Sequence, residues 1–378
     1  MPLAWCCWQI VAATNTTDAY LTGYTVRHFI ATILCFYLGF FVLGELRQIG
    51  GFWLALIICF LLVLAVGWSQ HFGGLDQTRR YFFLYIYPQM KDVPPEYLKK
   101  MASSRIFGTL FYPNTLAGVI ILLLPPVLAV LWNMKRWLTA PARGFLVGSV
   151  SIGALACLYW SGSKGGWLLT LFLALLGMLR LTFSKRLKVL AVTTVLLLGI
   201  AGFTIKYRAF FEKGATSVVA RFDYWRAALA ISKEHPWLGT GPGTFGNAYQ
   251  LVRDPGSEPA RLTHNDYLQQ LSDSGVIGFL TYTGFVAAAL VYSFPRISSK
   301  AKKTTATDGV GEGLGAEKAD LRYRFGVWLG LLGWSVQGLF EFGLYVPGSA
   351  WVAFALTGSL LARFSGDPKG MDKLPLHW

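Results

Sequence analysis

A series of long apolar runs, nearly free of charge and separated by short basic loops, constrains this chain more than any other feature. The runs fall at about 26–44, 51–69, 114–132, 144–160, 166–183, 187–205, 274–294, 324–342 and 345–363, and a shorter piece at 2–13 is a candidate tenth. Each approaches the ~20 residues that a helix needs to cross the hydrocarbon core of a bilayer. In lipid the backbone has no water partner, so each run must satisfy its own N–H and C=O groups as a helix. A β-barrel would need alternating strands of about ten residues, and these runs are continuous. The expected fold is all-α, a polytopic transmembrane helical bundle of about nine or ten spans.

Composition agrees. Only 14% of the residues are charged, against about a quarter in soluble domains. The net charge of +15 then reads as topology signal and as attraction for anionic lipid or anionic substrate. It does not read as a nucleic-acid footprint, because no basic helix or stacking platform accompanies it. The cysteines Cys6, Cys7, Cys35, Cys59 and Cys157 all lie in apolar segments without disulfide or zinc spacing, and are expected to be small packing residues. The chain opens with Pro2-Leu-Ala-Trp-Cys-Cys-Trp8, without a basic n-region or a small-residue cleavage site, so no signal peptide is expected there.

Lys and Arg in the connections set the orientation. Lys135, Arg136 and Arg143, then Lys185, Arg186 and Lys188, then the segment from Arg296 to Arg324, then Arg363, Lys369 and Lys373 all fall on one side if the spans alternate. That side is cytoplasmic by the positive-inside rule. The chain then divides into N-terminal membrane helices over 1–205, with an extracytoplasmic loop near 70–113. A large external loop over 206–273 contains short helices. C-terminal membrane helices follow over 274–363, with a flexible cytoplasmic loop at 298–320, and a cytoplasmic tail at 364–378. The loop 161–165 faces the same side as 206–273.

The external loops carry the polar residues with chemical promise. Arg105, beside the Pro113-Asn114 turn, is placed either to hold a phosphate or to reach lipid headgroups. Ser161-Gly-Ser-Lys-Gly-Gly166 opens a helix and is either an anion site, where glycines let backbone approach and Lys164 adds a charge, or a tight helix-helix turn whose lysine reaches to the headgroups. From Ala220 to Lys233 the spacing predicts an amphipathic interfacial helix, with Arg221, Trp225, Ala228, Leu229 and Ser232 on one side. Arg221 falls in its first turn, where a cation opposes the helix dipole. Gly239-Thr-Gly-Pro-Gly243 is a compact turn and weak evidence for phosphate binding. Thr263-His-Asn-Asp266 reads as a helix start, with Thr263 as N-cap, His264 at the first helical position and Asp266 at the third. A helix start favours the neutral imidazole that a general base requires. Glu341, one turn above Gln337, is an ionisable group at the outer end of a span.

Taken together, these motifs resemble the O-antigen ligase and polymerase family of bacterial membrane glycosyltransferases. The resemblance rests on Ser104-Arg-Ile-Phe-Gly-Thr with Pro113-Asn-Thr-Leu-Ala-Gly118, Ser163-Lys-Gly-Gly, and Arg221 followed by Trp225. It extends to Pro236-Trp-Leu-Gly-Thr-Gly-Pro-Gly-Thr-Phe245, His264-Asn-Asp-Tyr-Leu268 with Gly275-Val-Ile-Gly278, and Leu339-Phe-Glu-Phe with Pro347. It implies a type C glycosyltransferase-like fold in the bacterial inner membrane, with its active site on the periplasmic side. It further implies an undecaprenyl-diphosphate-linked glycan donor, a hydroxyl acceptor such as lipid A core, inversion, and no metal or other cofactor. On that resemblance His264 is the base and Arg221, Lys164 and Arg105 hold the donor diphosphate. Asn265, Asp266, Trp225 and Glu341 support them. Lys164 stands where the family has an arginine, which removes a bidentate fork but keeps the charge. The family also includes polymerases and protein O-oligosaccharyltransferases. A polysaccharide-lipid transporter is a reading of another class, which predicts charged or broken helices at the bilayer midplane.

Overall fold

The computed structural model describes residues 1–45, 49–90, 98, 102–110, 112–180, 184–212, 216–295 and 310–365. It is helical throughout, with no strand among the described residues. The principal helices are α1 (Pro2–Ala12), α2 (Ala19–Leu38), α3 (Gly50–Ser69), α4 (Leu75–Tyr81), α5 (Pro113–Asn133), α6 (Ala140–Ser161) and α7 (Lys164–Arg180). They continue with α8 (Lys185–Glu212), α9 (Thr216–Glu234), α10 (Phe245–Val252), α11 (Asp266–Tyr292), α12 (Val310–Gln337) and α13 (Pro347–Ser365). Among the described residues, 6 helices are long and apolar enough to cross a membrane: α2, α3, α5, α6, α8 and α11, the first two with their helical extensions. The chain is a multi-pass membrane protein.

The centre of the bundle is α5, whose apolar window is 78% buried, while the windows of α2, α3, α6 and α8 present most of their residues outward. Lipid supplies the apolar environment for those outer faces, so association of the helices depends on close packing and small residues. Glycines on α12 make the seam with α5. A Cβ added at Gly330 would stand 2.1 Å from the Leu122 carbonyl oxygen, and one at Gly333 2.5 Å from Ile121. The Leu122 carbonyl would ordinarily accept from the residue four positions on, but that residue is Pro126, which has no N–H. The close approach of Gly330 therefore covers a carbonyl that the helix itself leaves open. A second seam joins α2 and its extension to α13, where a Cβ at Gly39 would lie 2.0 Å from the Ala355 carbonyl oxygen.

Several expectations change. The piece at 2–13 is the 11-residue α1, which rises only ~17 Å at 1.5 Å per residue, less than the hydrocarbon core by itself. It packs instead on α11, with Trp5 0% exposed and Trp8 Nε1 donating to the Ser274 carbonyl at 2.8 Å. The loop near 70–113 begins as helix, since α3 continues past a kink at Phe72 and Gly73 into α4 and on to Gln89. Of the loop 298–320, residues 298–309 lie outside the described residues, and 310–320 is already α12. The tail 366–378 also lies outside them. Cys6 and Cys157 are buried packing residues as expected, whereas Cys7 and Cys59 are exposed on apolar helices. The helix start at 266 and the span 274–294 are one helix, α11, broken at Gly275 with φ 67°. The Val276 N–H donates to the Pro236 carbonyl at 2.8 Å across that break, so the kink is stitched to the loop before it.

Candidate active site

Five separate segments meet at one end of the bundle. Arg105 lies on a short loop clipped by Gln70, whose Oε1 accepts from the Phe107 and Gly108 N–H groups and whose Nε2 donates to the Gly108 carbonyl. Ile106 beside it is 0% exposed, so the loop is pinned from both sides and Arg105 is aimed rather than free. Its Nε donates to the Ser161 carbonyl at 2.6 Å and its Nη2 to Asn114 Oδ1 at 2.7 Å. Gly162 ends α6 in the left-handed conformation, φ 62°. Glycine adopts it without steric cost, and the turn delivers Lys164 to the first turn of α7. There the ammonium sits 3.8 Å from the Phe210 ring centroid and 5.3 Å from that of Tyr207.

Arg221 is carried by α9. That helix begins at Thr216, so Arg221 lies in the second turn and the expected conflict with the helix dipole is absent. Its buried stripe is Ala220, Tyr224, Ala227, Ala228 and Ile231, packed on Phe245 and Tyr249 of α10. This stripe sits one position away from the side expected from sequence, because Tyr224 and Ile231 anchor it more strongly than Leu229, which is exposed. Arg221 and Trp225 border the stripe.

His264 is not in a helix. It has φ 52°, the one non-glycine residue with positive φ among those described. The N-cap is Asn265, whose Oδ1 accepts from the Tyr267 and Leu268 N–H groups at 3.0 Å. Thr263, expected as the cap, instead closes a tight turn, donating to the Asn265 carbonyl and accepting from the Asn265 N–H. The dipole argument for His264 therefore loses its geometric basis. A left-handed histidine costs of order 1–3 kcal/mol unless the surroundings hold it, and such strain collects at functional sites. Here the surroundings do hold it. Asp266, 1% exposed, accepts from the Leu344 N–H at 3.0 Å, and its own N–H donates to the Gly338 carbonyl at 2.7 Å. The His264 turn is thereby tied to the segment carrying Glu341.

Glu341 gathers the rest. Arg221 Nη2 lies 2.5 Å from its Oε1, Asn114 Nδ2 donates to the same oxygen at 2.6 Å, and His264 Nδ1 lies 3.3 Å from Oε2. The Glu341 side chain is 8% exposed, that of Arg221 19% and that of His264 26%, so these interactions work in a partly desolvated setting where charge counts for more than in water. Phe342 meets the His264 ring edge-on at 4.8 Å and Tyr224 stacks near it at 5.9 Å. A narrow cleft opens beside Glu341, lined by Asn114, Thr115, Gly118, Gln337, Phe342, Gly343 and Ser349.

Charge around Glu341 is unbalanced: Arg221 and Arg105 act on its carboxylate, and Lys164 lies within electrostatic reach of both arginines. Burial works against the charged form of Arg105, and Glu341 offsets part of that. Burial first, then Arg105 and Arg221, lowers the Lys164 ammonium to about 8. Lys164 thus joins the cluster through its field rather than by a direct bond. Among the described residues no group of three or more His, Cys, Asp or Glu side chains converges as metal ligands.

The geometry brings together Arg105, Lys164, Arg221, His264 and Glu341, with Asn265 and Asp266 holding the turn beneath. Trp225 packs against the α9 stripe and is not a partner of Glu341. Two residues went unmarked in the sequence. Asn114 bridges Arg105 and Glu341; it was visible only as part of a Pro-Asn turn. Asp273, 0% exposed, accepts from the Gly243 and Phe245 N–H groups at 2.8 and 3.0 Å. It thereby occupies the Gly243 N–H, a donor that an anion at the Gly239–Gly243 turn would have used.

Residues 149–283 match the family model described as O-antigen ligase. No curated protein matches the chain. The matched stretch holds Lys164, Arg221 and His264, while Arg105, Asn114 and Glu341 fall outside it and join the site through the fold alone. The family that the motifs resemble is the family whose model matches residues 149–283 of this multi-pass membrane chain.

Proposed function

We propose that this chain transfers a glycan from an undecaprenyl-diphosphate-linked donor to an acceptor hydroxyl at the periplasmic face of the bacterial inner membrane, with lipid A core as the first-choice acceptor. The observation that carries the reading is the meeting of three cations with a carboxylate-oriented histidine at one end of a membrane bundle. His264 presents Nδ1 to Glu341. With the proton on Nδ1, Nε2 is left as the basic nitrogen, the logic by which a carboxylate fixes a histidine tautomer. In this reading the acceptor oxygen attacks the anomeric carbon as its proton passes to Nε2. The bond from that carbon to the diphosphate oxygen breaks, and the electron pair leaves with the diphosphate. The attack comes from the face opposite the leaving group, so configuration inverts. Charge develops on the departing oxygen, and Arg105, Lys164 and Arg221 stand ready to stabilise it there. Long-lipid donors suit this placement, since the tail stays in the bilayer while the head reaches helix ends. Extension of a growing glycan, or transfer to protein, is the same chemistry with a different acceptor.

The test is a transfer assay in proteoliposomes holding one lipid-linked donor and a panel of hydroxyl acceptors. His264→Ala is expected to reduce the rate by ~10²–10⁴-fold, the usual worth of a general base, with expression and melting midpoint unchanged. Wild-type rates in that variant would remove His264 as the base.

A further inference from the structure

Tyr207 stands near the C-terminal end of α8 and was not marked by its sequence context. It is 6% exposed, and its hydroxyl has no hydrogen-bond partner among the described residues. Packing accounts for its ring, which lies 5.0 Å from that of Phe203 and beneath the Lys164 ammonium. A phenylalanine would pack as well. The hydroxyl is what lacks an explanation, because a buried O–H without a partner is a standing cost to the fold.

Its neighbours indicate what would satisfy it. Arg105 lies within electrostatic reach of the phenol, and Lys164 and Arg221 lie within reach of Arg105 or of each other. Arg221 Nε is a second buried donor without a partner among the described residues. With Glu341 the one carboxylate set against three cations among the described residues, and two donors still unpaired, the site is short of acceptors and of negative charge, and a diphosphate supplies both. We infer that the Tyr207 hydroxyl donates a hydrogen bond to the diphosphate of the lipid-linked donor, alongside Arg105, Lys164 and Arg221. The inference rests on the function proposed above and adds a donor-binding residue to it.

The experiment uses the full chain in detergent, with inorganic pyrophosphate and undecaprenyl diphosphate as probes and thermal shift as the readout, beside the donor KM for transfer. Tyr207→Phe is expected to weaken binding of both probes and to raise the donor KM by roughly tenfold, the scale of a hydrogen bond to a charged group. Its melting midpoint without ligand should be equal to or above that of the wild type, since the unpaired hydroxyl is gone. Unchanged probe affinity in Tyr207→Phe, with affinity lost in Arg221→Gln, would overturn the role of Tyr207 and leave the proposed function standing. If neither probe stabilises the wild type and Arg221→Gln transfers normally, the proposed function falls and the inference with it.

Discussion

Asp273 and Glu341 are both buried carboxylates, 0% and 6% exposed, yet their partners differ in kind. Asp273 draws on neutral donors: two backbone N–H groups, the Gln269 amide at 2.8 Å and the Tyr345 hydroxyl at 3.4 Å. Both of its oxygens are occupied, and what they hold is the turn between α9 and α10. Glu341 draws on a guanidinium, an amide and an imidazole from segments 120, 227 and 77 residues away in sequence. More positive charge faces it than it can neutralise. A carboxylate saturated by neutral donors serves the fold, and one outnumbered by cations leaves charge to be used by something else.

That contrast can be broken most sharply by exchanging the two losses. Glu341→Gln should lower transfer by ~10²-fold or more, because Arg221 and His264 lose their common anchor, while the melting midpoint shifts little. Asp273→Leu should do the reverse. Orphaning two buried N–H groups costs ~1–3 kcal/mol each, so the midpoint should fall by several degrees while the folded fraction keeps its rate. Equal effects on rate and midpoint in both variants would erase the distinction. A smaller effect is expected from Arg221→Lys, which retains charge and loses the fork. The donor KM should rise by ~10-fold at nearly constant midpoint, and an unchanged KM would place Arg221 outside the donor site.

The smallest effect is a pH signature. Lys164 is lowered to about 8 from an ordinary 10.5, so its ammonium is present below that value and lost as pH rises through it. Donor affinity should fall on that limb, and Lys164→Arg, which stays charged, should flatten it. Stability should move the other way. Between about 8 and 10.5 the unfolded chain binds more protons at this position than the folded one, so stability rises with pH across that window. A donor KM that is flat across the window would take Lys164 out of the cluster.

The apolar helices were legible because hydrophobicity over 20 residues is a local property that tertiary contacts seldom overturn. The His264 turn was legible only in part. Thr263, Asn265 and Asp266 can all cap a helix, and the local signature fits a start two residues too early. What decides for Asn265 is the hold of Asp266 on the Leu344 N–H and the Gly338 carbonyl, residues that no local pattern connects to it. Glu341 was undervalued for the same reason, since a single acid at the end of a span says nothing of an arginine on another helix. Asp273 was overlooked because the turn it holds lies about thirty residues earlier, on the far side of a loop.

The glycine seam between α5 and α12 has one more effect, on precision. Asn114 sits about 12 Å beyond the contact of Gly330 with Leu122, at 1.5 Å of rise per residue, and Glu341 follows four residues after α12 ends at Gln337. Their hydrogen bond at 2.6 Å, and that from Gln337 Nε2 to the Asn114 carbonyl at 3.1 Å, tolerate only a few tenths of an ångström before they weaken. The seam therefore works as a vernier stop, because a side chain forced in at Gly330 would slide one helix along the other and put the site out of gauge. A substitution in the middle of the membrane, touching neither donor nor acceptor, would be read out as a catalytic defect.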